Sequence, residues 1–261
     1  MKVAFVGAGN VAWHLAQAFE NVHISITEVY SRNEMHAENL CKKLHHAIVK
    51  KELYFSDPEL DILILAVSDD ALPTIVKQIQ VPSNTIVVHT SGSVSMDIFQ
   101  DMTYHYGVFY PLQTFSKEKP LNINKVPFCI EGKNDFIKNK LRNLASSISE
   151  SVYDVDSTQR KTLHVGAVFA CNFVNHLLAI SKNILADKSL DFNILKPLIE
   201  ETIKKALTTD HPKNAQTGPA IRKDTQTIQR HLSYLQDTPQ EQTIYQLLTD
   251  SIMHFYANKS E

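Results

Sequence analysis

A short segment near the start of the chain, GAGNVA at positions 7–12, constrains the fold more than any other feature of the sequence. It follows the apolar run 3–6 and leads into residues 12–19, whose apolar side chains recur at helical spacing. Strand, tight turn and helix in this order begin a βαβ unit. The chain has only 7 glycines in 261 residues, so two of them in one turn indicate a backbone requirement.

In this context the pattern G-x-G-x-x-A is typical of a turn that binds the pyrophosphate of a dinucleotide. Gly7 allows the tight turn, Gly9 lets the phosphates approach bare backbone, and Ala12 is small enough for the helix to pack on the strand. The helix start offers unpaired N–H groups and the positive end of its dipole. The predicted cofactor-binding residues here are Gly7, Ala8, Gly9, Asn10 and Val11.

The overall composition argues against several classes of protein. The formal net charge is −2 and the basic residues are scattered, so we expect no binding to nucleic acid or to a membrane surface. Cys41, Cys129 and Cys171 are far apart and odd in number, which favours reduced core cysteines of a cytoplasmic protein. The twelve histidines lack ligand spacing, so we predict no metal site. Apolar runs are interrupted short of the roughly 20 residues of a membrane span, so we expect no membrane-spanning segment, and we expect no signal peptide before the first strand.

The first half of the chain alternates strand and helix patterns. This order predicts an α/β fold with a doubly wound, mostly parallel Rossmann sheet. Residues 61–67 form a continuous apolar run, as expected for a central strand covered on both faces. The other predicted strands are 26–31, 85–89, 107–110, 127–131 and 151–155. The predicted helices of this half are 34–46, 71–79 and 136–149.

After residue 156 the strand patterns stop. Residues 157–186 form one long helical pattern that is too apolar for a free surface, so it is either the core of a bundle or a subunit interface. Further helices are predicted at 193–207, 223–235 and 240–257, around a loop at 211–219. We therefore predict two domains, a nucleotide-binding domain at 1–153 and an all-helical domain at 154–261.

The end of the second strand bears on the choice of nucleotide. NAD enzymes place an acidic residue there, whereas NADP enzymes place a cation and small polar groups. The sequence after this strand offers Ser31, Arg32 and Asn33, and the Arg32 guanidinium suits a 2′-phosphate. Glu28 is the rival, because it lies near the usual offset of about 20 residues. We predict NADP(H).

Two further loops follow predicted strands and therefore line the ligand crevice. The first contains Val67 and Ser68, which we expect beside the cofactor riboses; Asp69 and Asp70 follow and could instead cap the next helix. The second loop, 89–93, contains Ser91. It either faces the nicotinamide or substrate, or it is a simple turn.

These motifs together resemble a family of bacterial proteins with an N-terminal Rossmann-like domain and a C-terminal helical domain of unassigned function, DUF2520. The family is described as NADP oxidoreductases, akin to F420-dependent NADP reductases, pyrroline-carboxylate reductases and the 6-phosphogluconate dehydrogenase group. The resemblance covers nearly the whole chain. It rests on residues 7–12, 30–33, 66–69, 89–92, 110–115 and 217–224, and on His164, Asn172, Asn175 and His231. Relatives carry histidine where this chain has Tyr110, so no catalytic role is assigned to Tyr110.

The resemblance implies that the long helix brings a proton donor to the nicotinamide. At about 100° per residue, His164, Asn172 and Asn175 lie within roughly a quarter of the helix circumference. One interpretation makes His164 the general acid and the two asparagines substrate-orienting donors. The other makes all three partners in interhelical hydrogen bonds.

A second candidate group precedes the helix predicted at 223–235. Arg222 could bind a substrate carboxylate, and Asp224 lies seven residues before His231, on the same helical face. Alternatively, Asp224 caps the helix and Arg222 forms a structural ion pair. The resemblance favours the functional interpretation.

The sequence therefore predicts an NADP(H)-dependent oxidoreductase that transfers hydride between NADPH and a small carbonyl or imine substrate. We expect a cytoplasmic homodimer joined through the helical domain. The alternatives are a reductase of a 2-keto acid resembling ketopantoate and a non-catalytic NADP-binding sensor. Fold and cofactor do not identify the substrate.

Overall fold

The computed structural model describes residues 1–102 and 105–257. Within them the chain forms two compact units, Met1–Ala170 and the residues from Cys171 onward. The division falls inside a helical run, Ser157–Ala186, and lies C-terminal to the boundary that the end of the strand patterns predicts.

The first unit is built on one eight-stranded sheet in the order β3-β2-β1-β4-β5-β6-β7-β8. All neighbouring strands are parallel except β6 and β7, which pair antiparallel. This confirms the predicted doubly wound, mostly parallel sheet. The strands are β1 Lys2–Val6, β2 Ser25–Tyr30, β3 Ile48–Lys50, β4 Ile62–Leu65, β5 Ile86–His89, β6 His105–Pro111, β7 Phe128–Gly132 and β8 Val152–Asp154.

The helices of the first unit lie between these strands. They are α1 Asn10–Asn21, α2 Glu34–Cys41, α3 Leu72–Gln78, α4 Asp135–Ser146 and α5 Ser157–Ala167. α2 ends five residues earlier than predicted, and the short edge strand β3 follows it. Only three residues of β3 pair with β2, which explains why periodicity did not detect it.

Successive residues of β1 point to opposite faces of the sheet and belong to different apolar clusters. Val3 and Phe5 pack with the helix residues Leu15 and Phe19 in one cluster. Ala4, on the opposite face, joins a second cluster that includes Leu72 of α3. Because both faces are covered, the central strands are apolar without alternation.

The second unit is helical. It contains α6 Val174–Ala186, α7 Lys196–Thr208, α8 Thr225–Tyr234 and α9 Pro239–Ala257, with short 3-10 segments at Phe192–Leu195 and Pro212–Ala215. Among residues 171–257, the buried side chains are those of Ala220, Ile228, Leu235 and Thr249. Cys171 is exposed, so the expectation of three core cysteines is wrong at this position.

One helical run departs from the expectation about membrane spans. Ser157–Ala186 is continuous over 30 residues, and its most apolar 18-residue window has a mean hydropathy of 1.6 with none of the window buried. By length and composition alone this helix could cross a membrane. Helices that pack in soluble proteins share this length and composition, so these two properties do not distinguish a membrane span from a packed helix.

Candidate functional site

The glycine turn joins β1 to α1, and its two glycines have different roles. Gly7 has a positive φ of 104°, and a Cβ built on it would lie 2.2 Å from the carbonyl oxygen of Ala66. Gly9 precedes α1 without a side-chain cap, and a Cβ built on it would meet no atom within 4 Å. Gly7 is therefore required by the fold, whereas the space beside Gly9 is open for a ligand.

A cavity of about 920 Å³ opens from this turn. Its lining contains the predicted residues Gly7, Ala8, Gly9, Ser31, Arg32, Asn33, Val67 and Ser68, together with His36, Thr74, Ile75 and Gln78, which sequence reasoning missed. The residues in α2 and α3 were missed because no pattern marks which helix side chains turn toward a strand end. The carboxyl ends of β1, β2 and β4 meet here, as expected for the ligand crevice of such a sheet.

The polar groups at the end of β2 favour a 2′-phosphate. Arg32 is exposed at the cavity, and the described residues include no ion-pair partner for it. The rival acid, Glu28, is buried within β2 and pairs with Lys50 Nζ at 3.1 Å. Asn33 is occupied as the N-cap of α2, where its Oδ1 accepts a hydrogen bond from the Met35 N–H at 3.1 Å. Ser31 and Arg32 are therefore the predicted residues of this corner whose side chains are available to a 2′-phosphate.

A loop that follows β6 covers the glycine turn. The Asn10 side chain donates to the carbonyl of Phe115 at 3.0 Å, and Lys117 Nζ donates to the carbonyl of Ala8 at 2.9 Å. Lys117 also lies 5.1 Å from the centre of the Trp13 ring. A cation is thus held beside the turn, which adds to the attraction for phosphate. Sequence reasoning missed Lys117 because more than 100 residues separate it from the turn.

A second cavity of about 300 Å³ meets the first at Gly9, Ala66 and Val67. Its lining brings together the strand-end loops of β4, β5 and β6 with one residue of α5. The remaining lining residues are Asn10, Val11, Asp69, Thr90, Ser91, Gly92, Tyr110, Pro111, Gln113, Phe115 and His164. The lining includes the predicted Asn10, Val11, Ser91 and His164.

The loops after β4 and β5 are tied to each other. Ser93 Oγ donates a hydrogen bond to Asp69 Oδ2, and Ser91 Oγ accepts from the N–H groups of Ser93 and Val94 at 3.1 and 3.0 Å. Neither the short helix at Asp69–Ala71 nor α3 has a side-chain cap, so the capping interpretation of Asp69 and Asp70 is wrong. Asp69 instead lines the second cavity.

His89, at the end of β5, is fully buried and stacks on Phe99 with ring centres 5.6 Å apart. Its Nδ1 accepts a hydrogen bond from the Ser91 N–H at 3.1 Å. Burial lowers the pKa of His89 to about 3, with a smaller contribution from the nearby Arg160. His89 is therefore neutral at physiological pH and shapes the loop that carries Ser91.

Tyr110 and His164 meet at the back of the second cavity. The Tyr110 hydroxyl lies 3.1 Å from His164 Nδ1, and the two rings pack edge to face. Burial raises the pKa of Tyr110 to about 12, so the phenol keeps its proton at neutral pH. Of the five predicted catalytic residues, His164 is the one that lies in the first unit.

The other four predicted catalytic residues lie in the second unit. Asn172 belongs to a π-helical segment, Val168–Phe173, in which each residue turns by less than 100°, so the calculated common face does not apply. Asn172 and Asn175 are exposed, so burial does not require the interhelical hydrogen bonds of the second interpretation. The catalytic roles of both residues remain predictions.

Asp224 has the predicted capping role, and its predicted catalytic role remains a prediction. Asp224 caps α8, accepting hydrogen bonds from the Thr227 N–H at 3.1 Å and the Thr227 hydroxyl at 2.8 Å. His231 pairs with the Tyr245 hydroxyl at 2.8 Å, so the predicted Asp224–His231 pair is wrong. Arg222 is exposed, and its role as a carboxylate-binding residue remains a prediction.

The described residues, 1–102 and 105–257, hold no group of three His, Cys, Asp or Glu placed for a metal ion.

These features define a protein with a dinucleotide-binding fold, and comparison with known families agrees. The model of a Rossmann-like domain matches residues 1–113, and that of a domain of unknown function, DUF2520, matches residues 126–252. The chain belongs to the family that joins these two domains. Comparison with curated protein sequences gave no match.

Solved structures extend the comparison. The "putative NADP oxidoreductase" of Bacteroides fragilis is 40% identical, with 97% of this chain and 98% of that chain covered and a TM-score of 0.88. An imine reductase from Myxococcus stipitatus in complex with NADP+ is 15% identical over 98% of this chain and 93% of that one, with a TM-score of 0.65. A 1-pyrroline-5-carboxylate reductase from Streptococcus pyogenes is 12% identical over 97% and 98%, with a TM-score of 0.62. The last two share the fold.

Proposed function

We propose that this protein is an NADP(H)-dependent oxidoreductase that transfers hydride between NADPH and a small carbonyl or imine substrate. The observation that carries the proposal is the junction of two cavities at Gly9. One cavity ends at Arg32 and the other at the Tyr110–His164 pair. The 40% identity to the Bacteroides fragilis protein supports the same class of activity.

The residues around the two cavities suit each part of the cofactor. The open space beside Gly9 and the N–H groups of α1 would hold the pyrophosphate, with Lys117 as a nearby cation. Ser31 and Arg32 would bind the 2′-phosphate. When bound, NADPH supplies the hydride. His164 would donate a hydrogen bond to the substrate oxygen or nitrogen and so polarise the C=O or C=N bond, because it is the half-buried ionisable group of the second cavity on α5.

The cofactor assignment is tested by titrating the protein with NADPH and with NADH and following cofactor fluorescence. Arg32→Gln should weaken NADPH binding about 10- to 100-fold and leave NADH binding unchanged, because only NADPH carries the 2′-phosphate. Arg230→Gln replaces another exposed arginine and serves as the control. Wild-type protein that binds neither nucleotide would refute the proposal.

Turnover is tested separately, by NADPH consumption with a panel of cyclic imines, 2-keto acids and a deazaflavin. His164→Gln should abolish NADPH oxidation while NADPH still binds. A 2-keto acid as the sole substrate would favour the ketopantoate-like alternative and a role for Arg222. NADPH binding without oxidation of any panel member would favour the sensor alternative.

We further propose that the protein forms a homodimer through its helical region. Leu198 and Leu207 on α7 are 63% and 79% exposed, and Ile194, shortly before α7, is 67% exposed. Apolar patches of this kind on a helical surface are typical of a protein interface. A second copy of the chain presents the same apolar surface, as an isologous interface requires.

The oligomeric state is measured by light scattering after gel filtration without detergent. The wild type should be a dimer, and Leu198→Glu with Leu207→Glu should give a monomer. Phe136→Glu is the matched control, since Phe136 is 61% exposed but lies on α4 of the first unit. A monomeric wild type that partitions into lipid vesicles would instead assign the apolar helix to a membrane.

A further inference from the structure

Tyr110 and His164 differ in how far they reach into the second cavity. Tyr110 is 8% exposed, whereas His164 is half-buried and borders the open space. The Tyr110 hydroxyl contacts Nδ1 of the imidazole, so Nε2 is the nitrogen that remains for a ligand. Tyr110 thus lies behind His164 and acts on its ring.

Gly92 provides the space in which the two rings meet. A Cβ built on Gly92 would lie 2.6 Å from His164 Nδ1 and 2.8 Å from the Tyr110 hydroxyl. Both distances are shorter than van der Waals contact, and both rings are rigid. The loop after β5 therefore admits the hydrogen-bonded pair only with glycine at this position.

The first turn of α5 is fixed by a buried arginine. Arg160 is 1% exposed, and its Nη1 donates to Glu131 Oε2 at 2.6 Å. Its Nη2 donates to the Val94 carbonyl at 2.6 Å, two residues after Gly92. Ser157 joins this network by donating to Glu131 at 2.8 Å. The helix that carries His164 is thus tied to the loop that carries Gly92, which keeps the ring contact in register.

The surroundings of Tyr110 favour its protonated form. Burial is the main reason that its pKa is raised to about 12, and Cys129 and Asp69 act in the same direction. Arg160 acts in the opposite direction. A protonated phenol can donate to an unprotonated Nδ1, and the hydrogen bond at one ring nitrogen sets which nitrogen of a neutral histidine carries the proton.

We propose that Tyr110 is a positioning residue for His164. Its hydroxyl donates to Nδ1 and keeps the proton of the neutral imidazole on Nε2, where it faces the cavity as a hydrogen-bond donor. Gly92 is part of the same arrangement, because it leaves room for the contact between the Tyr110 hydroxyl and His164 Nδ1. The inference deepens the proposed function, in which His164 serves the substrate, but its first test needs no substrate.

The tautomer is observed by long-range 1H–15N correlation spectra of the histidine rings, with His164 assigned from the missing signals of His164→Gln. In the wild type, His164 should show a protonated Nε2 and an unprotonated Nδ1. Tyr110→Phe removes only the hydroxyl and should lower the ratio of the two tautomers about tenfold, as expected for the loss of one ordinary hydrogen bond. A wild-type His164 protonated on Nδ1, or a ratio unchanged by Tyr110→Phe, would overturn the proposal.

Two alanine variants provide an independent test that leaves the tyrosine in place. Gly92→Ala should shift the His164 tautomer ratio in the same direction as Tyr110→Phe. Gly166→Ala should not, because a Cβ on Gly166, on the same helix as His164, meets no atom within 4 Å. Equal tautomer ratios in these two variants would contradict the role of Gly92.

NADPH titration of the same variants separates the two proposals. Tyr110→Phe should bind NADPH within about twofold of the wild type, and with an accepted panel substrate its kcat should fall while KM changes little. A wild type that does not bind NADPH would refute the proposed function, but the result on the His164 tautomer would still stand. An unchanged kcat in Tyr110→Phe would refute the positioning role.

Discussion

The first unit of this chain buries the apolar side chains of its sheet on both faces, whereas the second unit leaves many of its leucines and isoleucines exposed. Phe5 and Phe19 are fully buried, but Ile194 and Leu207 are 67% and 79% exposed. The first unit can therefore be understood from its own contacts. The second cannot, because only four side chains among residues 171–257 are buried, and its exposed apolar side chains are the ones that the proposed second copy of the chain would cover.

The largest effect is expected from the buried arginine. Arg160→Met removes the buried charge that pairs with the partly buried Glu131 carboxylate, so the free energy of unfolding should fall by about 3–5 kcal/mol. Arg230→Met, in the exposed surface of the second unit, should change it by less than about 0.5 kcal/mol. Urea denaturation measures both. Similar losses of unfolding free energy in the two variants would contradict the contrast between a well-buried first unit and an exposed second unit.

Two glycines with positive φ provide a second contrast. Gly7→Ala should cost about 3 kcal/mol, because a Cβ would add a collision with the Ala66 carbonyl to the backbone strain. Gly218→Ala, at φ 111° in the second unit, should cost about 1–2 kcal/mol, because its Cβ meets no atom within 4 Å. Thermal unfolding of the two variants tests the difference. Gly218→Ala as the more damaging change would show that its surroundings are filled.

The acid stability of the first unit should depend on His89. Its pKa is about 3 in the folded chain and near its ordinary value of 6.5 when unfolded, so the unfolded chain binds the extra proton between these values. Stability should therefore fall as the pH drops from about 6.5 toward 3, by up to about 1.4 kcal/mol per pH unit. His89→Gln should show a shallower dependence in urea denaturation series. Parallel curves for the two proteins would mean that His89 is protonated in the fold.

The smallest effect is expected on the exposed face of α7. In dilute protein, Leu207→Ala should change the free energy of unfolding by about 0.5 kcal/mol or less, because the side chain is largely in water. At high protein concentration the variant should lose stability relative to the wild type if a second copy covers the residue. Denaturation at two concentrations distinguishes the cases. A large loss in dilute protein would show that the monomer itself buries Leu207.

Local sequence patterns were sufficient to predict much of the secondary structure of the first unit. The strand before Gly7 and the continuous apolar strand β4 were predictable because a buried parallel strand is apolar at every position. The strand-end residues Ser31, Val67 and Ser91 followed from the parallel order, since the carboxyl ends of such strands meet at one edge. Lys117 and the Tyr110–His164 contact were not predictable, because sequence spacing does not encode contacts over 54 or 109 residues.

In the helical region the patterns were less informative. The periodicity predicted helices at the positions of α6 to α9, yet it did not detect the π-helical segment at Val168–Phe173, because a change in turn angle leaves the apolar pattern intact. The prediction of an Asp224–His231 pair was wrong because helical spacing alone does not determine hydrogen-bond partners. Seven residues place two side chains on one face, but Thr227 and Tyr245 offered nearer partners.

The sequence by itself determined the dinucleotide turn, the doubly wound sheet and the location of Arg32, because each depends on neighbouring residues or on the period of a strand or helix. Only the tertiary structure decided that Glu28 is paired with Lys50, that Gly7 serves the fold while Gly9 borders open space, and that Tyr110 meets His164. The physical reason is that hydrogen bonds and steric fit act over a few ångströms in space. The chain brings such partners together only when the sheet and helices have formed.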